Sequence, residues 1–162
     1  MTGSGTSTRV PEGRPVPPAA RAEIEDLNAR FAWALDLHDF DALTDVFIAD
    51  AHYASLGREF HGRDELIASF RSRGGARTTR HGLGNLLLAG RPDGTVTGLG
   101  SWHTFAAHVE TSPDEPAPVG LYMVADFHDR YVETAAGWRI AERIIVPVLR
   151  EAGLGPGAAG QN

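Results

Sequence analysis

Phe31-Ala-Trp-Ala-Leu-Asp-Leu37 holds one charged residue among seven, and two of its six apolar residues are large aromatics. It closes a longer helical pattern over about 19–38, in which Ile24, Leu27, Phe31 and Leu35 recur at three- and four-residue spacing and share one face. Trp33 and Leu37 fall nearly opposite. The last two turns are therefore apolar almost all round, which predicts a helix end sunk into the protein. Asp36 sits in that end, and a carboxylate is costly to bury without a partner. Either it lies at a partly solvated helix terminus, or it is buried for its chemistry.

Outward from this helix, Asp39 or Asp41 can cap a second short helix running through Phe47. His52–Ser55 and Arg58–His61 read as short strands around Gly57. Asp64–Arg73 is a third helix with Leu66, Ile67 and Phe70 as its apolar face. From Thr79 the pattern changes. Asp93-Gly94 and Ala136-Gly137 are hairpin signals, and the acidic, proline-rich stretch 111–118 is a longer loop. They separate four strands near 80–89, 95–109, 119–133 and 137–148. Three helices followed by an antiparallel meander predict an α+β domain with helices on one face of a sheet. Residues 1–18, rich in Gly, Ser, Thr and Pro, read as a disordered leader; 19–150 form the domain and 151–162 a flexible tail.

A chain of 162 residues with 42% apolar and 22% charged residues suits one globular domain. It has no cysteine, which excludes disulfides, thiolate chemistry and cysteine-bound zinc. A net charge of −6 argues against nucleic acid or an anionic membrane as partner. No apolar run approaches the ~18 residues of a membrane span. No secretory segment is visible, so the expected location is cytoplasmic.

Strand alternation puts His81, Leu83 and Asn85 on one face, with Gly82 and Gly84 leaving space beside the histidine. Tyr122, Val124, Asp126 and His128 alternate in the same way, and Asp126 repeats the puzzle of Asp36: a carboxylate in a mostly apolar strand. Two such carboxylates with a histidine and an asparagine would make a polar cluster in an apolar cavity, poised for acid–base work. The plainer readings are a packed histidine, an Asp126 paired with Arg80, Arg139 or Arg143, and Trp33, Trp102 and Trp138 filling the core. His103 and His108 differ by five and fall on opposite strand faces, and His38, His52 and His61 lie near element ends. No metal site is expected.

The stretches A-L-D-L-H-D-F-D-A-L-T-D-V-F (34–47), D-A-H-Y (50–53), G-R-D-E-L-I (62–67), T-R-H-G-L-G-N (79–85) and G-W-R-I-A-E-R (137–143) resemble the SnoaL-like branch of the nuclear transport factor 2 superfamily. That branch includes scytalone dehydratase and bile-acid dehydratases. The resemblance implies a cone-shaped α+β barrel, a curved antiparallel sheet with three N-terminal helices closing a cavity, assembled as a homodimer or homotrimer. It also implies an acid–base pair of a helix aspartate and a strand histidine, which fall on Asp36 and His81. A water-orienting tyrosine falls on Tyr53. Asp126 takes the place of a family asparagine, and Leu35 that of a tyrosine. The second family histidine has no clear counterpart: Ala106 is the ungapped match, with His103 and His108 nearby.

The implied activity is a cofactor-independent dehydratase, isomerase or cyclase acting on a hydrophobic oxygenated small molecule such as a polyketide, steroid or terpenoid intermediate. Asp36, His81, Tyr53 and Asp126 are the expected catalytic residues; Asn85, Trp33, Trp102, Tyr122 and Arg143 the expected substrate contacts. Two other readings stand beside it. One is epoxide opening with Asp36, Asp126 and Arg143. The other is a non-catalytic ligand-binding or oxygenase small-subunit-like domain.

Overall fold

A computed structural model describes residues 10–73, 76–112 and 114–156. Helix α1 (Pro18–Asp36) starts with proline in its first turn, where the missing N–H costs nothing. It buries Ile24, Leu27, Asn28, Phe31 and Leu35. His38, at φ 57°, turns the chain out of the helix. The expectation of a helix end sunk on all sides is corrected: Trp33 is 55% exposed and Leu37 is exposed too, because only one face has a sheet to cover it. A 3-10 helix, Phe40–Asp45, follows, capped by the Asp39 carboxylate accepting from the Ala42 amide. Then come β1 (Phe47–Ser55), β2 (Arg58–His61), α2 (Arg63–Arg71), β3 (Thr78–Gly90), β4 (Val96–Ala107), β5 (Leu121–Thr134) and β6 (Gly137–Arg150). β1 starts five residues earlier than the sequence suggested, at Phe47 rather than His52. Leu56 and Gly57, both at positive φ, make the two-residue turn between β1 and β2.

The six strands form one sheet in the order β2-β1-β6-β5-β4-β3. β3 to β6 are the expected antiparallel meander. β1, however, runs parallel to β6, so the sheet is mixed. Residue alternation tells which face a side chain takes and nothing about a partner's direction. Register shifts interrupt β3–β4, β4–β5 and β5–β6. Such bulges bend a sheet, and here it curves around α1 while its edges β2 and β3 stay apart. The core lies in the hollow, built from Phe31, Phe47, Trp102, Phe127, Tyr131 and Ile140. No helix among the described residues is long and apolar enough to cross a membrane.

Part of the segment expected as a disordered leader is anchored. Arg14 and Gly90 exchange both backbone hydrogen bonds, at 3.0 and 2.8 Å, and Arg91 donates to the Glu12 carbonyl. Gly13 is required there, since a Cβ would come within 2.5 Å of the Gly90 oxygen. Main-chain pairing at a strand end leaves no mark in composition. The first residues of the expected tail also pack: Glu151 donates its amide to the Tyr122 carbonyl, and Leu154 lies against the core. Residues 1–9 and 157–162 fall outside the described residues.

Candidate active site

Asp36 is the last residue of α1, and its side chain is 3% exposed. Three donors from β3 meet it. Thr79 Oγ1 donates to Oδ1 at 2.8 Å, the His81 amide donates to Oδ2 at 2.9 Å, and His81 Nδ1 lies 2.6 Å from Oδ1. Burial pushes the Asp36 carboxyl up, but the hydrogen bonds and charge of His81, with Thr79, outweigh it and hold the carboxyl below its ordinary value. Asp36 is thus an anion at neutral pH. An anionic Oδ1 at hydrogen-bond distance requires the proton on His81 Nδ1, which leaves Nε2 as the basic nitrogen. Nε2 has no hydrogen-bond partner among the described residues.

The His81 ring, 15% exposed, borders a cavity of about 130 Å³. Leu35, Phe40 and Pro156 supply apolar wall; Thr79, Thr104, Tyr122 and His38 supply polar groups; Arg73 and Arg77 bring guanidinium groups. The Tyr122 hydroxyl is buried and unpartnered among the described residues. Arg77 lies over the Tyr122 ring at 5.2 Å, and desolvation holds its guanidinium below the usual value. Neither arginine has a carboxylate partner among the described residues.

The other expected site residues divide. Tyr122 is in the cavity wall. Tyr53 is buried on the inner face of β1 among Phe47, Phe60 and Phe70, and burial keeps it a neutral phenol. It does not border the cavity. Trp102 is core, stacked on Phe127 at 4.8 Å. Three expectations are corrected. Trp33 is on the solvent side of α1, under the Arg80 guanidinium at 5.7 Å. Asn85 is exposed in the irregular stretch between Leu83 and Leu86. Asp126 takes the outer face of the sheet with Val124 and His128, while Ala125, Phe127, Asp129 and Tyr131 are buried inside. The extra residue at Tyr122, where Thr104 pairs Met123 but Phe105 pairs Leu121, breaks the alternation that linked Tyr122 to Asp126. The family's second histidine gains no substitute. His103 lies over Gly82 on the outer face, and His108 Nε2 is 3.0 Å from the Gly153 carbonyl.

Arg143 points inward, as the epoxide reading needed, but its partner is Asp129. Nε and Nη2 each donate to that carboxylate at 2.8 Å, and Nη2 also donates to Asn28 Oδ1. Tyr131 donates to Asp129 Oδ2 at 2.6 Å, and the rings of Phe31, Trp102 and Phe127 surround the guanidinium. Asp129 holds Arg143 protonated against its burial. With both Asp129 oxygens engaged, this cluster is a buried brace linking α1, β5 and β6. Sequence reasoning missed Asp129 and Asn28. A signal existed for Asn28, a polar residue next to Leu27 on the apolar stripe of α1. Thr79, Arg73 and Arg77 left no comparable trace. Among the described residues, the one group of three His, Asp or Glu side chains within ligand distance is His52, Glu59 and His61, remote from this cavity.

The family model for a SnoaL-like domain matches residues 18–144. The chain belongs to the SnoaL-like family. This SnoaL-like chain is similar to the solved structure of Aln2 from a Streptomyces species, at 21% identity over 83% of this chain and 94% of that one, with a TM-score of 0.72. ActVI-ORFA from Streptomyces coelicolor is 18% identical over 80% and 98%, with a TM-score of 0.69. An NTF2-like protein with a cystatin-like fold from Novosphingobium aromaticivorans is 24% identical over 84% and 86%, with a TM-score of 0.65. No curated protein matches the chain.

Proposed function

We propose that this SnoaL-like protein is a cofactor-independent acid–base enzyme, a dehydratase, isomerase or cyclase, acting on a hydrophobic oxygenated small molecule such as a polyketide, steroid or terpenoid intermediate. The Asp36–His81 pair at the cavity carries the reading. His81 Nε2 takes a proton from carbon next to a carbonyl, and Asp36 stabilises the imidazolium that forms. The electron pair moves onto the carbonyl oxygen, where the Tyr122 hydroxyl and the Arg73 and Arg77 guanidinium groups can meet the charge. The imidazolium then returns its proton to a leaving hydroxyl, to a second carbon, or to the alkoxide formed when the enolate carbon closes a ring onto a second carbonyl. These outcomes give dehydration, double-bond shift and cyclisation respectively. Tyr53, set back from the cavity, and Asp126, on the outer face, take no part in this scheme. A cavity of about 130 Å³ is close to the ~150 Å³ that takes up one benzene ring, so it suits the reacting ring of a larger substrate.

Epoxide opening loses support, because Asp126 faces away and Asp129 is committed to Arg143. The test is a panel of hydroxylated polyketide, steroid and terpenoid ketones in D2O, followed by NMR. Deuterium entry beside the carbonyl, or conversion, is expected with the wild type and not with His81→Ala. Saturable binding without exchange or turnover across the panel would instead favour a ligand-binding domain.

A further inference from the structure

The outer face of the β1–β2 hairpin carries a second group of chemistry-bearing side chains, unrelated to the cavity. His52 and His61 are directly opposite in the hairpin register, so their side chains share a face. Their rings stack in parallel, with centroids 4.8 Å apart and an interplanar angle of 2°. Glu59, two residues before His61, projects to the same face. Its Oε2 lies 3.8 Å from His52 Nε2 and 3.7 Å from His61 Nε2. All three ligand atoms fall within 4.8 Å of one another.

His52 is also held from behind. Its Nδ1 is 3.1 Å from Glu142 Oε2 on the neighbouring strand β6. A proton shared with that carboxylate sits on Nδ1 and turns the lone pair of Nε2 toward Glu59 and His61. That Nε2 is buried with no hydrogen-bond partner among the described residues. A carboxylate behind a ligating histidine is the arrangement that fixes the tautomer and raises ligand basicity in metal sites.

We propose that His52, Glu59 and His61 form a binding site for a borderline divalent transition-metal ion, Zn²⁺ foremost, with Glu142 orienting His52. Two imidazole nitrogens and one carboxylate oxygen are a known zinc donor set that leaves a fourth position open. Tetrahedral bonds of about 2.05 Å place ligand atoms about 3.3 Å apart. The two Glu59 separations therefore need to close by roughly half an ångström and the two imidazole nitrogens by up to about 1.5 Å, with the exposed His61 ring turning out of its parallel stack so that its lone pair converges with that of His52. The ion would pin the edge strand β2 to the body of the sheet through β1 and β6. The sequence hides this site, because residues nine apart meet only when Leu56 and Gly57 make a two-residue turn at their midpoint.

The experiment uses untagged full-length protein stripped with a chelator. Zn²⁺ binding is measured by calorimetry and thermal melting, and Co²⁺ binding by its visible absorption. One ion per chain is expected, with a rise in Tm. His61→Ala, at an exposed position, is expected to abolish saturable binding, and Glu142→Gln to weaken it by about 10–100-fold. His108→Ala is the control and leaves binding unchanged. Absence of saturable binding in the wild type overturns the proposal. So does binding that survives His61→Ala, which would place the ion elsewhere.

Discussion

Asp36 satisfies three donors with two oxygens, and that is why a carboxylate persists in an apolar setting. Asp36→Asn is nearly isosteric, yet it cannot stabilise an imidazolium and can hold the wrong tautomer. Where an aspartate orients a histidine base, this change costs up to about 10⁴-fold in turnover. His81→Ala is expected to cost a similar amount and the double variant little more, because the two residues act as a unit. Turnover and thermal melts of the three variants check this; multiplicative losses would mean the residues act independently. The Asp36 carboxyl is held below its ordinary value of 3.8 in the folded state. The folded state therefore binds its proton less readily than the unfolded state does. The stability it contributes is fully present above that ordinary value and is lost as pH falls through the folded value. Thr79→Val removes one donor, so the Asp36 titration should move up toward 3.8, readable by carboxyl NMR.

At the scale of elements, the Arg143–Asp129 pair holds β6 to β5 and reaches α1 through Asn28. Its charges are fully buried. Arg143→Met strands the Asp129 carboxylate and should cost about 3–5 kcal/mol in urea unfolding. Adding Asp129→Leu should recover much of that loss, since the unpaired charge goes with it. If the single and double variants are equally unstable, the packing of the arginine among Phe31, Trp102 and Phe127 matters more than its charge. The helices and the four long strands were legible because Ile24 to Leu35 and the turns at Gly94 and Gly137 obey simple periodicities. Asp126 was misassigned because the bulge at Tyr122 in β5 exchanges the faces of the residues that follow it.

At the scale of the molecule, the N-terminal segment closes the end of the sheet beside β3. Deleting residues 1–17 removes the paired bonds of Arg14 with Gly90. At about 0.5–1.5 kcal/mol per bond, a loss of roughly 1–3 kcal/mol is expected. Urea unfolding of the truncated chain measures it, and an unchanged midpoint would show that the contact contributes nothing. Assembly as a homodimer or homotrimer is a proposal at the same scale. Exposed Leu121, Val148 and Leu149 on β5 and β6 support it, as apolar side chains a second copy could cover. Sedimentation equilibrium should give twice or three times the chain mass; a monomer at micromolar concentration would refute it.

The sequence by itself determined the helices-then-meander order, the apolar stripe of α1, the turn positions and the pairing of Asp36 with His81. The first three are local properties, set by spacing along the chain and by glycine at positive φ. The pairing came from resemblance and from the cost of burying a lone carboxylate. Only the tertiary structure decided the parallel β1–β6 contact, the outward turn of Asp126, the Arg143–Asp129 brace and the arginines at the cavity. Each of these depends on register and sheet curvature, which arise when strands far apart in sequence bond to one another.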